Sequence, residues 1–149
     1  MTVKSAGKTG VTYQHDYRLA AIINRRCLQH SLAAGTTKVK LRGTIDELSQ
    51  PASSIDGGKG RAIVLEDVME GATFQNLVIS GQHDNNGGGA YIFRSNPNFS
   101  NCRFVNCYAE GTSSWDGGGA VYIFSQSPTH TPSFDNCVFA DNSAHKGGA

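Results

Sequence analysis

The sequence predicts an all-β solenoid: a parallel β-helix of short strands opened by an amphipathic capping helix. Three observations predict it. The tripeptide Gly-Gly-Ala recurs at Gly88-Gly89-Ala90, Gly118-Gly119-Ala120 and Gly147-Gly148-Ala149, twice just ahead of an apolar run, Tyr91-Ile92-Phe93 and Val121-Tyr122-Ile123-Phe124. A second series lies between these runs: Phe74-Gln75-Asn76-Leu77-Val78-Ile79, Phe99-Ser100-Asn101-Cys102-Arg103-Phe104 and Phe134-Asp135-Asn136-Cys137-Val138-Phe139, all reading F-x-N-[LC]-x-[IF]. The apolar residues come in short bursts divided by Gly, Asn and Ser, which favours short strands over long helices.

Internal repetition at a fixed period marks an architecture in which one supersecondary unit stacks on the next. Taking Ala62 of Gly60-Arg61-Ala62 as the first member, the alanines Ala62, Ala90, Ala120 and Ala149 are 28, 30 and 29 residues apart. The F-x-N series is less even, with phenylalanines 25 and then 35 residues apart. Two loops absorb that difference, residues 109–117 (AEGTSSWDG) and 125–132 (SQSPTHTP). A stacked coil tolerates such excursions because an insertion leaves at a corner without disturbing its neighbours.

In such a coil, equivalent strands pair in parallel at about 4.8 Å and equivalent side chains stack. Asn76, Asn101 and Asn136 are then expected to form an amide ladder, each meeting the donors and acceptors of the next. Cys102 over Cys137 is expected as a stack of small apolar side chains, with a disulfide between neighbouring rungs as the minor alternative.

At the front of the chain, residues 1–15 read as a mobile leader. The phosphate-loop reading of Ser5-Ala6-Gly7-Lys8-Thr9-Gly10 fails, because that motif needs a glycine where Thr2 stands. Residues 16–35 read as the capping helix: Asp16 as N-cap, Leu19, Ile22, Ile23 and Cys27 on one face, Gly35 as the stop. Residues 36–149 read as the rungs, beginning with the alternating stretch 38–45 (KVKLRGTI). The closing Gly-Gly-Ala reads as the start of a further rung, so the last one is expected to present an open edge able to pair with more chain or with a second copy.

Composition narrows the function classes. The 149 residues carry a formal net charge of +1 with Lys, Arg, Asp and Glu scattered singly, so no basic stripe points to nucleic acid. No apolar run is long enough for a transmembrane helix, and no signal-peptide pattern opens the chain. The four cysteines, Cys27, Cys102, Cys107 and Cys137, have no zinc-ligand spacing, so no metal and no cofactor is expected.

The candidate catalytic groups are Glu66-Asp67, His83-Asp84, and Asp116 with His145. The last two each stand two residues before a glycine pair, with Asn86 in the corresponding place one rung earlier. No third member completes any of these sets, so the catalytic residues are unknown. The candidate binding residues are aromatic. Aligning the two YIF runs stacks Tyr91 on Tyr122 and Phe93 on Phe124, with Ile92 and Ile123 on the opposite face. Either the aromatics face out as a ladder able to stack on sugars or bury a partner, or they fill the core; alignment on Gly-Gly-Ala shifts the register by one and breaks the ladder. Trp115, at the tip of the 109–117 loop, is a further candidate contact.

The motif Phe139-Ala140-Asp141-Asn142, followed after four residues by Gly147-Gly148-Ala149, resembles the paired F-x-x-N and G-G-A repeats of bacterial polymorphic outer membrane proteins, adhesins with a right-handed parallel β-helix. More broadly, residues 60–149 resemble the pectin-lyase-like superfamily. Phe104-Val105-Asn106-Cys107 departs from the motif, which wants Asn last. The resemblance implies a right-handed helix on a secreted or cell-surface protein, a non-catalytic adhesin-like module that recognises a glycan or a host or cell-surface protein. The alternative it implies is the N-terminal part of a polysaccharide lyase or glycoside hydrolase whose catalytic residues lie beyond residue 149. An ice-binding solenoid would need a regular threonine array, which the sequence lacks.

Overall fold

The structure, a computed structural model, describes residues 11–14, 30–32, 39–43, 45–68 and 72–149. Every element among them is a strand. The first are β1 (Val11–Gln14) and β2 (His30–Leu32); the next pass of the chain gives β3 (Val39–Arg42), β4 (Ser53–Asp56) and β5 (Ile63–Glu66). A full pass follows as β6 (Ala72–Gln75), β7 (Leu77–Ser80), β8 (Gln82–His83) and β9 (Ala90–Phe93). The next is β10 (Asn98–Ser100), β11 (Arg103–Val105), β12 (Tyr108–Ala109) and β13 (Val121–Phe124), and then come β14 (Ser133–Asp135), β15 (Val138–Ala140) and β16 (Ser143–Ala144).

These strands form four sheets, visited in the same order on every pass, and the two passes β6–β9 and β10–β13 send one strand to each. Sheet I is β1-β3-β6-β10-β14, sheet II β4-β7-β11-β15, sheet III β8-β12-β16 and sheet IV β2-β5-β9-β13. All the strand pairings are parallel. An all-parallel arrangement needs a long return between partners, and here the other sheets are the return. The topology is compatible with a β-helix-like fold.

Two segments differ from the sequence reading. Val11–Gln14, within the expected leader, pairs with β3 in sheet I, where a short run needs only a free strand edge to be recruited. His30–Leu32, within the stretch 16–35 expected as a helix, is β2 and pairs with β5; residues 16–29 and 33–35 of that stretch lie outside the described residues.

Inside the four sheets lies one apolar cluster. Phe74 and Phe99 stack at 4.7 Å between ring centroids, Phe99 and Phe134 at 5.0 Å, and Phe104 and Phe139 at 5.0 Å. Ile55, Ile63, Leu65, Ile79 and Ile92 complete the buried layer. The alternation of strand residues produces this division: in β5, β6, β7 and β9 the first and third residues are buried and the second and fourth are not.

What bends the chain from sheet to sheet is left-handed backbone. Asn76, Asn101 and Asn136, at φ 57°, 48° and 49°, turn the corner from sheet I to sheet II on successive passes. Asparagine tolerates this region better than most residues, and its side chain then does the second job expected of it. Asn101 Nδ2 donates to Asn76 Oδ1 at 3.0 Å, Asn136 Nδ2 donates to Asn101 Oδ1 at 3.1 Å, and Asn76 Nδ2 donates to the Gly43 carbonyl at 3.4 Å. The amide ladder therefore runs through three passes.

Gly87 and Gly118, both at φ 62°, turn the corner into sheet IV, and Gly147 has the same φ at the equivalent place one pass later. They are structural equivalents, and they correct the alignment drawn from Gly-Gly-Ala. Ala90 pairs with Val121, and Asn86 bridges to Gly117. The tripeptide is therefore displaced by one between these two passes: Ala120 is matched by Gly89, not by Ala90. The neighbouring glycines serve a different need, since a Cβ on Gly88 would fall on the Tyr108 carbonyl and one on Gly89 would lie 2.6 Å from the Ala120 carbonyl. Gly118→Ala should cost about 1–2 kcal/mol from the left-handed backbone alone, with further loss because its Cβ would meet the Val121 carbonyl; paired chemical melts against wild type measure it.

Candidate functional site

Sheet IV carries the candidate site on its outer face. The register stacks Val64, Tyr91 and Tyr122 in one column and Glu66, Phe93 and Phe124 in a second, while Ile63, Leu65, Ala90 and Ile92 are buried beneath. The YIF alignment is thus the one the strands adopt. Ile92 is wholly covered, whereas its partner Ile123 is 46 % exposed.

The four rings are nearly parallel. Tyr91 and Tyr122 lie 5.7 Å apart at 1°, Phe93 and Phe124 5.2 Å apart at 9°, and Tyr91 and Phe93 6.3 Å apart at 5°. Two guanidiniums join them: Arg61 Cζ lies 4.4 Å from the Tyr91 ring centroid and Arg94 Cζ 4.5 Å from that of Phe93. Each contact has the cation–π geometry. Both arginines are held from the side. Arg61 donates from Nε to the Asn86 carbonyl at 2.9 Å and from Nη2 to Asn86 Oδ1 at 2.6 Å. Arg94 Nη2 pairs with Asp67 Oδ2 at 2.7 Å, while its buried Nε has no hydrogen-bond partner, as fits a guanidinium laid against a ring.

Burial is the main influence on these groups. It pulls the Arg61 guanidinium below its usual range, opposed by nearby Tyr91 and Glu66, and it pushes the Tyr91 hydroxyl up, opposed by Arg61. The Arg94–Asp67 pair is half-exposed, so its contribution to stability is small, and its effect is to fix where the charge sits.

Trp115 stands apart from the row. It is 78 % exposed on the loop between β12 and β13. That loop is ordered by its own contacts: Asp116 Oδ2 accepts from the Ser113 amide at 2.9 Å, and Lys146 Nζ donates to the Ser114 carbonyl at 3.3 Å. The Asp116 carboxyl is lowered first by its hydrogen bonds to Ser113. Asn86 aligns with Gly117, so Asn86 does not join the column read from the sequence, whereas the Gly118 amide's bond to the Lys146 carbonyl keeps Gly118 level with Gly147 and Asp116 level with His145. The only ion pair among the described residues is Arg94–Asp67, so Asp67 is committed to Arg94.

His83 and Asp84 do line a recess, of about 220 Å³, together with Lys59, Gln82 and Glu110. The Asn85 amide donates to His83 Nδ1 at 3.1 Å, which leaves the ring proton on Nε2. Burial lowers the His83 pKa, Arg61 lowers it further and Asp84 opposes them. Lys59 and Glu110 reach this recess from the passes before and after, so no local sequence pattern around His83-Asp84 points to them. The same holds for Arg61 and Arg94: the sequence signal for each is only its place one repeat before, or directly after, an aromatic run.

No protein-family model, no curated protein and no solved structure matches the chain. No helix among the described residues is long and apolar enough to cross a membrane.

Proposed function

We propose that the chain is part of a parallel β-helix solenoid, right-handed like the pectin-lyase-like proteins and polymorphic outer membrane proteins its repeats resemble, and that it serves as a non-catalytic recognition module of a secreted or cell-surface protein. The observation that carries this reading is the outward row of Tyr91, Phe93, Tyr122 and Phe124, in register and held by Arg61 and Arg94. Four large rings on a solvent-facing sheet are more than scattered surface apolarity requires, and Tyr, Phe and Arg are enriched where proteins meet partners. Because the rings stack on one another and under guanidiniums, an approaching ligand meets ring edges, Tyr hydroxyls and charged rims more than open ring faces. A sugar stacks on faces, so this arrangement favours a protein surface as partner over a glycan.

Screening the chain against arrays of purified extracellular proteins and of glycans tests the proposal. The expected result is a protein ligand whose affinity falls at least ~10-fold for the variant Tyr91→Ser with Tyr122→Ser, without loss of the folded baseline. Binding unchanged in that variant would remove the row from the site, and a glycan as the only ligand would overturn the choice of partner.

The recess at His83 supports a second reading, a carbohydrate-active enzyme. Under it, the chain would release reducing ends or unsaturated products from a polysaccharide, and His83→Ala would abolish the release.

A further inference from the structure

Two of the three cysteines in the described region face each other across adjacent passes. Ser100 pairs with Asp135 and Arg103 with Val138, so the intervening Cys102 and Cys137 are brought into register, and the Val138 amide donates to the Cys102 carbonyl at 2.9 Å. Both thiols are free, and each bonds to carbonyls on its own and the preceding pass: Cys102 Sγ to Ser100 and Phe74, Cys137 Sγ to Asp135 and Phe99. Parallel neighbours stand about 4.8 Å apart, within the Cα range a disulfide spans. The two differ in exposure. Cys102 is buried, with Sγ against the Ser100 and Phe74 carbonyls at 3.3 and 3.5 Å, while Cys137 is half-buried at the corner between β14 and β15. Cys107, buried beside the Ile79 carbonyl, lies on another corner.

We infer that Cys102 and Cys137 form a reversible redox pair, in which Cys137 is the attacking thiol, Cys102 the resolving thiol and a low-molecular-weight disulfide such as oxidised glutathione the oxidant. The Cys137 thiolate attacks one glutathione sulfur, forming a mixed disulfide and releasing glutathione thiolate. Cys102 then gives up its proton and attacks the Cys137 sulfur, forming the Cys102–Cys137 bond and releasing the second glutathione. Two protein thiols become one disulfide and oxidised glutathione becomes two glutathione molecules, so electrons and protons balance.

The division of roles follows from the environments. Each thiol has carbonyl acceptors, and the proximity of the two sets them apart: the neighbouring Cys102 thiol lowers the Cys137 pKa to about 7, while Cys137 and burial raise that of Cys102. A thiolate near neutral pH is the species that attacks. The second step is intramolecular, which offsets the poor ionisation of the resolving thiol. In-register side chains on parallel strands sit at the wide end of disulfide Cβ spacing, so closing the bond draws the two corners together and leaves it easily reduced.

The test is exposure of the full chain to a series of oxidised-to-reduced glutathione ratios, followed by acid quenching, blocking of free thiols and peptide mapping. The expected product is a Cys102–Cys137 cross-link that disappears when reduced glutathione is restored. In Cys102→Ala, oxidation should stop at glutathione on Cys137; in Cys137→Ser, Cys102 and Cys107 should stay reduced. A stable mixed disulfide on Cys137 in the wild type, preferred pairing of Cys137 with Cys27 or Cys107, or no oxidation of Cys137 at any ratio would each overturn the inference. Rates of alkylation of the reduced protein provide a second measurement. Cys137 should react at least ~10-fold faster than Cys102 and Cys107, and equal rates would contradict the assigned roles.

Discussion

Phe99→Ala should cost about 4–5 kcal/mol and come close to unfolding the domain. The ring is fully buried, stacked on Phe74 at 4.7 Å and Phe134 at 5.0 Å, and meets Phe104 edge-on at 5.4 Å. Truncating a buried Phe costs ~3–5 kcal/mol, and each lost aromatic pair adds to the area term. Total stabilities of about 5–15 kcal/mol leave little margin. Phe139→Ala is the comparison: that ring stacks on Phe104, meets Phe134 edge-on at 5.8 Å and is 39 % exposed, so about 1–2 kcal/mol is expected. Urea melts of the two variants decide the matter. Equal losses would mean that the central stack does not continue through three passes.

The second large effect belongs to Asn101→Ala, at about 2–4 kcal/mol. Two costs combine there. Alanine at φ 48° carries a backbone penalty of ~1–2 kcal/mol, and removing the amide leaves Asn76 Oδ1 and Asn136 Nδ2 without their ladder partner, at ~1–3 kcal/mol shared between partly buried groups. Asn101→Gly separates the two, because it relieves the backbone and still breaks the ladder; it should be the milder variant by about 1 kcal/mol. Asn142→Ala, by contrast, loses hydrogen bonds to the Cys107 amide and Phe104 carbonyl but no left-handed conformation, so a loss of about 1–2 kcal/mol is expected. A melt of Asn101→Ala indistinguishable from wild type would contradict the ladder.

Much of the strand framework was legible because F-x-N-[LC]-x-[IF] combines three signals that are each physical: an inward ring, a residue that accepts left-handed backbone, and a small or apolar residue pointing back inside. The Gly-Gly-Ala series was legible as a period but misleading as a register. Three glycines precede Ala90 and three precede Ala120, and only the backbone reveals that Gly87 and Gly118, one position out of step in that count, are the two left-handed corners. The departure at Cys107 also has a physical basis. Cys107 Sγ lies 3.4 Å from the Ile79 carbonyl, and one pass later Asn142 Nδ2 donates to the Phe104 carbonyl at 3.0 Å; Ile79 and Phe104 are register partners, so thiol and amide hold the same place.

The candidate site was legible in half. The rings could be found from the repeated YIF run, since a two-residue period puts Tyr and Phe on one face whichever way that face points. What decides the direction is Ile92, whose narrower side chain occupies the core layer under the row. The arginines carry no such period. Arg61 reaches Tyr91 only because its Nε and Nη2 are pinned to Asn86, and Arg94 lies on Phe93 only because Asp67 of the previous pass holds its other end. Interactions between passes depend on which residue stands above which, and a shift of one residue, as between the two alignments of this chain, changes every partner.

That shift provides the most direct measurement. In a nuclear Overhauser spectrum of the free chain, ring protons of Tyr91 should show cross-peaks to those of Tyr122, and ring protons of Phe93 to those of Phe124, as the 5.7 and 5.2 Å centroid separations require. Cross-peaks from the Tyr122 ring to Ile92, with none to Tyr91, would place the strands in the Gly-Gly-Ala register and remove the outward aromatic row.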